Sequence, residues 1–299
     1  MYPRGLWQGF ALPGVIWLII LFIIPFYAVT AVAFGSVDPT LLTPIPAWNP
    51  LDWNIGWVSE ALSRLSPFAS GNDLWGVAVR TCEYVVVSVG MCIAIGYPVA
   101  YYIARHATRT KSLLLILLIL PLWISYLMRM LAWVNLLAPD GYVNRFLMWS
   151  HVISTPYGWL DGRPITVIFA LIYGYIPFFI LPLYASLDRI DKSVMEAARD
   201  LGASPYRTFL HVTLPLSKTG ILGGCVLVAL PMFGDYYTPN IVSGAPTTSM
   251  LGNQIDLYFH NTSQPTIGAA LTLILSAFLV VLMAYYMVTV ARATKEQRA

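Results

Sequence analysis

The chain has 299 residues, of which 58% are apolar, 14% aromatic and only 10% charged, and its mean hydropathy is +0.69. Soluble domains run at roughly 45–50% apolar and about 25% charged, and disordered chains are poorer still in apolar residues, so neither class fits. A net charge of +3 without a basic run argues against nucleic acid as a partner.

A helix needs about 20 mostly apolar residues to cross a bilayer core. Six stretches qualify: 12–34, 74–104, 113–137, 165–187, 220–237 and 267–290. The first is too long for a signal-peptide core and no clean cleavage site follows it, so it is expected to remain as the first helix. Loop 35–73 is rich in proline and carries Trp48, Trp53 and Trp57, which suit either an interfacial aromatic belt or a docking surface for a soluble partner. In the second stretch Arg80 and Glu83 stand three apart and are expected to pair along one helix face. The third contains Arg129, a charge expected to snorkel or to bind carbonyls at a helix end. It also carries Trp123, Tyr126 and Trp133, whose spacings of three and seven allow one shared face, lining a pathway or packing against lipid or core.

The fifth stretch opens with Gly220, Gly223 and Gly224, a small-residue face that admits another helix closely. At its far end Asp235 precedes Tyr236 and Tyr237. A carboxylate beside aromatic faces suits an organic cation; the alternative is a solvated carboxylate at the membrane edge. Pro13, Pro25, Pro98, Pro121, Pro177, Pro182 and Pro231 lie in or near the spans, which suggests a packed bundle around a cavity. Cys82, Cys92 and Cys225 form neither a disulfide framework nor a zinc motif and read as small buried residues. The four histidines lack metal spacing, and Asn261-Thr262-Ser263 matches a glycosylation acceptor by chance.

Lys and Arg gather on one side. Arg4, the 105–111 loop, the 189–218 loop and the 292–298 tail hold most of them, whereas Arg64, Arg145 and Arg163 are the only ones opposite. The positive-inside rule then puts both termini in the cytoplasm, which six spans satisfy.

The segment 188–218 is long for an idle connection. Ser193 and Glu196 are spaced as a capping box, Gly202 suits a left-handed helix end, and Pro205 is expected to stop the helix from resuming. The product is a helix of two to three turns, too short to stand alone, so it must pack on something.

Glu196-Ala197-Ala198, then Gly202, then Leu214-Pro215 resembles the EAA loop of type I ATP-binding-cassette importer permeases. Gly96-Tyr97-Pro98 and Pro121-Leu122-Trp123 extend the likeness, which is greatest toward the spermidine/putrescine branch. The resemblance implies an all-α polytopic membrane protein of six transmembrane helices. Both termini would be cytoplasmic, with a coupling helix between helices 4 and 5. It also implies one permease domain over 1–299: an N-terminal helix 12–34, an outer loop 35–73, and a core 74–291 that includes the coupling loop 188–218.

By the same resemblance the coupling helix enters a groove of a cytoplasmic ATPase, with Glu196, Ala197, Ala198, Arg199, Asp200, Gly202 and Pro215 carrying that contact. The implied partners are a second, homologous permease subunit forming a heterodimer, two copies of the ATPase, an extracytoplasmic solute-binding protein, and lipid in a bacterial or archaeal plasma membrane. The chain has no GxxxxGK[ST] loop, and Ser217-Lys218-Thr219-Gly220 lacks the glycine-rich lead. The expectation is therefore a transport subunit that binds no cofactor, with ATP and Mg used by the partner ATPase. For an organic-cation cargo such as a polyamine, which the resemblance to this branch implies and the Asp235-Tyr236-Tyr237 run suits, the candidate pathway residues are Asp235, Tyr236, Tyr237, Trp123, Tyr126, Trp133 and, less favoured beside Arg80, Glu83. A different small solute, a gated channel or a membrane-embedded enzyme are the competing readings. The enzyme would need convergent catalytic groups that four scattered histidines do not assemble, and a channel would not need the EAA-type helix.

Overall fold

The computed structural model describes residues 4–41, 43–68, 73–260 and 264–296, and helix dominates them. The Asn261-Thr262-Ser263 acceptor and Arg298 lie outside the described residues. In chain order the helices are α1 (Arg4–Leu18), α2 (Ile24–Ala33), α3 (Gly56–Arg64), α4 (Trp75–Arg105), α5 (Lys111–Ile119), α6 (Tyr126–Leu137), α7 (Tyr142–Trp149) and α8 (Pro164–Asp188). There follow α9 (Lys192–Asp200), α10 (Pro205–Thr208), α11 (Leu214–Leu216), α12 (Lys218–Phe233), α13 (Tyr237–Val242), α14 (Leu251–His260) and α15 (Pro265–Glu296). Two short strands, β1 (Ser36–Val37) and β2 (Pro44–Ile45), pair antiparallel with Ser36 opposite Ile45.

Four helices are long and apolar enough to cross a bilayer unbroken: Gly9–Ala33, Trp75–Arg105, Pro164–Asp188 and Pro265–Arg292. The third expected stretch is bent instead, and a second bend lies just before the fifth. Lys111–Trp123 meets Tyr126–Trp149 at 92°, and Pro205–Leu216 meets Lys218–Phe233 at 60°. Proline is the local cause of the first break. Pro121 has no amide hydrogen to give, the chain tightens to a 3-10 turn over Leu120–Trp123, and Ile124 and Ser125 are extended before α6 begins. Elsewhere the helix absorbs a proline by widening. The π turns Ile19–Ile23 and Phe209–Thr213 each end two residues before one, Pro25 and Pro215.

The chain divides into two compact units. One comprises residues up to Gly76 with Gln254–Phe278. Its core joins Ala33, Ala61 and Leu74 to Tyr258, Ile267, Ala270 and Leu271, while the apolar side chains from Phe10 to Leu18 of α1 are exposed. Arg64 donates to Glu60 at 2.6 Å and to the Tyr258 hydroxyl at 2.9 Å. Trp53 stacks on Phe34 at 4.7 Å and donates its indole N–H to the Ala47 carbonyl, whereas Trp48 stays exposed.

The other unit comprises Val77–Asn253 with the chain from Leu279. Its centre is Phe179 of α8, fully buried between two glycines. A Cβ on Gly96 of α4 would meet the ring at 2.6 Å, and one on Gly224 of α12 at 2.7 Å, so only glycine lets these helices approach so closely. Gly220 of the same α12 row abuts Ser186, so the expected small-residue face packs on α8. Gly223 looks instead toward the Tyr286 hydroxyl. Buried Asn144 satisfies both ends of its amide: it donates to Ala138 and Tyr157 and accepts from Tyr157 and Trp159, which fixes the 138–159 turn.

Candidate functional site: the 188–218 segment and the Asp235 cluster

α9 begins at Lys192, with extended Asp191 as the flanking residue and no side-chain cap. Ser193 is thus the second residue of the helix and not its cap, which corrects the capping-box expectation. The C-terminal reading is met in detail. Gly202 has φ +84°, its amide donates to Arg199, and the Ala203 amide donates to Ala198, which is the Schellman pattern that satisfies the last carbonyls. Pro205 does not end helical structure; it opens α10 as an N-terminal proline, with Ser204 accepting from the Arg207 amide.

Glu196, Ala197, Arg199 and Asp200 are exposed, and so are three apolar side chains: Val194, Leu201 at 90% and Tyr206 at 72%. Met195 is half-buried, its sulfur 3.9 Å from the Thr213 hydroxyl, so α9 rests on the following π turn by one face only. Both roots of the segment are tied down. Lys111 bonds Asp188 at 2.7 Å, Arg105 donates to the Ile190 carbonyl at 2.9 Å, and Tyr97 meets Ser217 at 3.0 Å. Pro215 lies in α11 beside that last contact.

Asp235 is only 6% exposed, and four donors hold it. One oxygen accepts from the hydroxyls of Tyr126 (3.0 Å), Tyr175 (3.1 Å) and Thr238 (2.6 Å); the other accepts from the Thr238 amide (3.0 Å). The cluster thereby joins α6, α8 and the α12–α13 turn. Tyr236 and Tyr237 stack on each other at 4.2 Å between centroids and are not the rings around the carboxylate. Arg129 is buried, and its guanidinium lies 5.3 Å over the Tyr126 ring, so it neither snorkels nor caps a helix. Tyr175 and Thr238 escaped the sequence reading. The available signal was a tyrosine inside an apolar span, whose hydroxyl needs a partner when buried.

The remaining expectations divide. Tyr126 and Trp133 do share a face of α6 toward α8, with Trp133 edge-on to Phe169 and Tyr173. Trp123, 83% exposed and across the 92° bend, does not join them. Arg80 and Glu83 do not pair. The Arg80 guanidinium donates to the carbonyls of Pro246 (3.2 Å) and Ser249 (3.1 Å), and Glu83 stands exposed with no hydrogen bond or ion pair among the described residues. Both loop carbonyls accept from the same guanidinium nitrogen, which turns Arg80 toward the 246–249 turn and away from Glu83. Cys92 is buried, Cys225 half-buried, and Cys82 exposed against expectation. Among the described residues no three His, Cys, Asp or Glu side chains converge to hold a metal.

Residues 95–295 match the family described as "Binding-protein-dependent transport system inner membrane component". The chain is 36% identical over 210 residues to the spermidine/putrescine transport system permease protein PotB of Escherichia coli (strain K12), covering 70% of this chain and 76% of that protein. It is 31% identical over 278 residues to PotB of Haemophilus influenzae, covering 90% and 89%. In fold it is similar to a chain of a bacterial alginate ABC transporter solved in complex with an alginate-pentasaccharide-bound periplasmic protein. The TM-score is 0.73 at 17% identity, over 94% of this chain and 92% of that one.

Proposed function

Since the chain belongs to the family of binding-protein-dependent transport system inner membrane components, and is a permease subunit of an ABC importer, we propose that its cargo is a polyamine of the spermidine/putrescine type. The observation that carries this reading is the 36% identity to PotB over 210 residues, supported by 31% over nine-tenths of the chain.

In this reading the pair Lys111–Trp123 and Tyr126–Trp149 counts as one span, and of the second bent pair only Lys218–Phe233 crosses the membrane. That gives six spans, both termini and the 188–218 segment in the cytoplasm, and one permease domain in a bacterial inner membrane. α9 is then the coupling helix. Its exposed Val194, the flanking Leu201 and Tyr206 of α10 seek an apolar groove of a cytoplasmic ATPase, while Glu196, Arg199 and Asp200 anchor the rim; Ala197 and Ala198 allow close approach. Two such ATPases, which use ATP and Mg, a second homologous permease and an extracytoplasmic binding protein complete the machine.

The pathway residues take different parts. Glu83 is the carboxylate with its oxygens free, since Arg80 is committed to carbonyls, and a charge at membrane depth demands a counter-charge or water. An organic cation passing along α4 meets that demand. Asp235, saturated by four donors, holds the helix ends that border the route; Tyr236, Tyr237, Tyr126, Trp133 and exposed Trp123 supply ring faces along it.

The test is reconstitution in liposomes with the ATPase and the binding protein. Uptake of labelled spermidine that requires ATP and both partners is the expected result. A binding protein that holds a sugar, an anion or a metal would overturn the cargo and leave the permease. Thiol labelling of cysteines placed at 193 and 207 checks the topology: both should react only from the cytoplasmic side.

A further inference from the structure

The 188–218 segment joins the membrane helices covalently at α8 and α12; Lys111 of α5 and Tyr184 of α8 bond its first residue, Asp188, and a third helix, α4, bonds it at both roots. Arg105, the last residue of α4, donates to the Ile190 carbonyl at 2.9 Å where the segment begins. At its other root, fully buried Ser217 meets the Tyr97 hydroxyl at 3.0 Å. Ser217 already donates its own hydrogen to the Leu214 carbonyl at 3.1 Å, so Tyr97 is the donor in this pair. Phe209, in the π turn between, presents its ring edge-on to Tyr97 at 5.6 Å and to Tyr101 at 5.7 Å, both at 89°.

The segment thus grips α4 at two heights. Eight residues separate Tyr97 from Arg105, about 12 Å along a helix. A single attachment lets a helix pivot about it; two attachments separated along the axis make the helix tilt with what holds it. The position of the upper grip matters further. Pro98 lies between the two grips and removes the amide bond to residue 94, which is a weak point in the helix. Held only at Arg105, the inner turns of α4 could flex at Pro98 while the outer turns stayed still. Tyr97 lies beyond that point, beside Gly96, which rests on Phe179 of α8.

We propose that the Tyr97–Ser217–Phe209 clasp is the element that delivers movement of the 188–218 segment to α4 beyond Pro98, and so links ATP hydrolysis by the partner to opening of the route along α4. This rests on the reading of α9 as the coupling helix. Tyr97, Ser217 and Phe209 are positioning residues; none touches cargo or ATP.

The experiment uses the complete reconstituted complex and reads three quantities: ATPase retained on purification, ATP hydrolysed, and labelled spermidine taken up per ATP. Tyr97→Phe and Ser217→Ala each remove the shared hydrogen bond with little change of volume. Each is expected to lower uptake per ATP at least fivefold while ATPase retention stays at the unaltered level; thermal stability is expected to hold in Tyr97→Phe and to fall in Ser217→Ala, which leaves the buried Tyr97 hydroxyl unpaired. The double variant is expected to match the worse single within twofold, because one contact is lost only once. Unchanged uptake per ATP in both single variants overturns the clasp. So does loss of the ATPase, which would make these residues part of the docking surface, and so does a double variant whose defect is the product of the two. If a single variant fails to assemble, Phe209→Leu, which keeps bulk and loses the edge-on contact, decides by the same ratio. An unaltered complex without ATP-driven uptake would overturn the importer reading and the clasp together, whereas a working complex with unaffected variants overturns the clasp alone.

Discussion

The Asp235 cluster and the α9 segment belong to the same compact unit and are finished to opposite degrees. Around Asp235 the chain supplies everything: a buried carboxylate engaged by an amide and by the hydroxyls of buried Thr238 and half-buried Tyr126 and Tyr175. On the α9 segment the backbone is satisfied, down to the Schellman bonds at Gly202 and Ala203, while Val194, Leu201 and, on α10, Tyr206 remain uncovered. Burying an unpaired polar group costs about 1–3 kcal/mol, and leaving an apolar one wet forfeits a gain of similar size. The first region has avoided its cost alone; the second still has its gain to collect. A region of the first kind holds a fold together, and one of the second kind waits for a partner.

The largest effect expected from this contrast is that of Asp235→Ala. It removes the shared acceptor; the Tyr126 and Thr238 hydroxyls can still bond each other, but the Tyr175 hydroxyl and the Thr238 amide lose their partner, so the variant should lose about 2–3 kcal/mol of stability. Thermal unfolding in detergent measures it, with uptake falling only in proportion to folded protein. A variant of normal stability that no longer transports would make Asp235 a cargo group and dissolve the contrast.

Gly202→Val is expected next in size and opposite in kind. A β-branched residue at φ +84° costs about 1–3 kcal/mol of local strain, which the last turn of α9 relieves by unwinding. Because nothing lies within 4 Å of a Cβ at this position, the isolated permease should keep its thermal stability while ATPase retention drops about tenfold or more. Equal retention would mean that the shape of α9 does not matter to the partner.

The smallest effect belongs to Glu83→Gln, which touches neither region. Stability should stay within about 0.5 kcal/mol, as for exposed positions generally. Spermidine uptake should fall about fivefold with ATPase activity preserved, read as a rise in the cargo concentration needed for half-maximal uptake. An unchanged concentration dependence would show that Glu83 does not meet the cation.

The sequence by itself determined what depends on neighbours along the chain. Long apolar runs mark the unbroken spans, even the one that carries Arg80 and Glu83, because transfer into hydrocarbon is a property of each residue summed over a helix. Gly202 marks the end of α9, because only glycine takes a left-handed conformation without strain. The Gly220/Gly224 row marks a helix contact, because absent side chains are legible wherever they recur. What failed were choices among distant partners. Arg80 had a carboxylate three residues away and took two carbonyls more than 160 residues on. Asp235 had Tyr236 and Tyr237 beside it and took Tyr126 and Tyr175, 109 and 60 residues back. Trp123 kept its spacing to Tyr126 and lost the shared face, because the break at Ile124 and Ser125 reset the helical phase. Spacing fixes direction only while a helix is unbroken, and a polar group's partner is whichever donor or acceptor the packed helices bring within 3 Å; only the tertiary structure decides that.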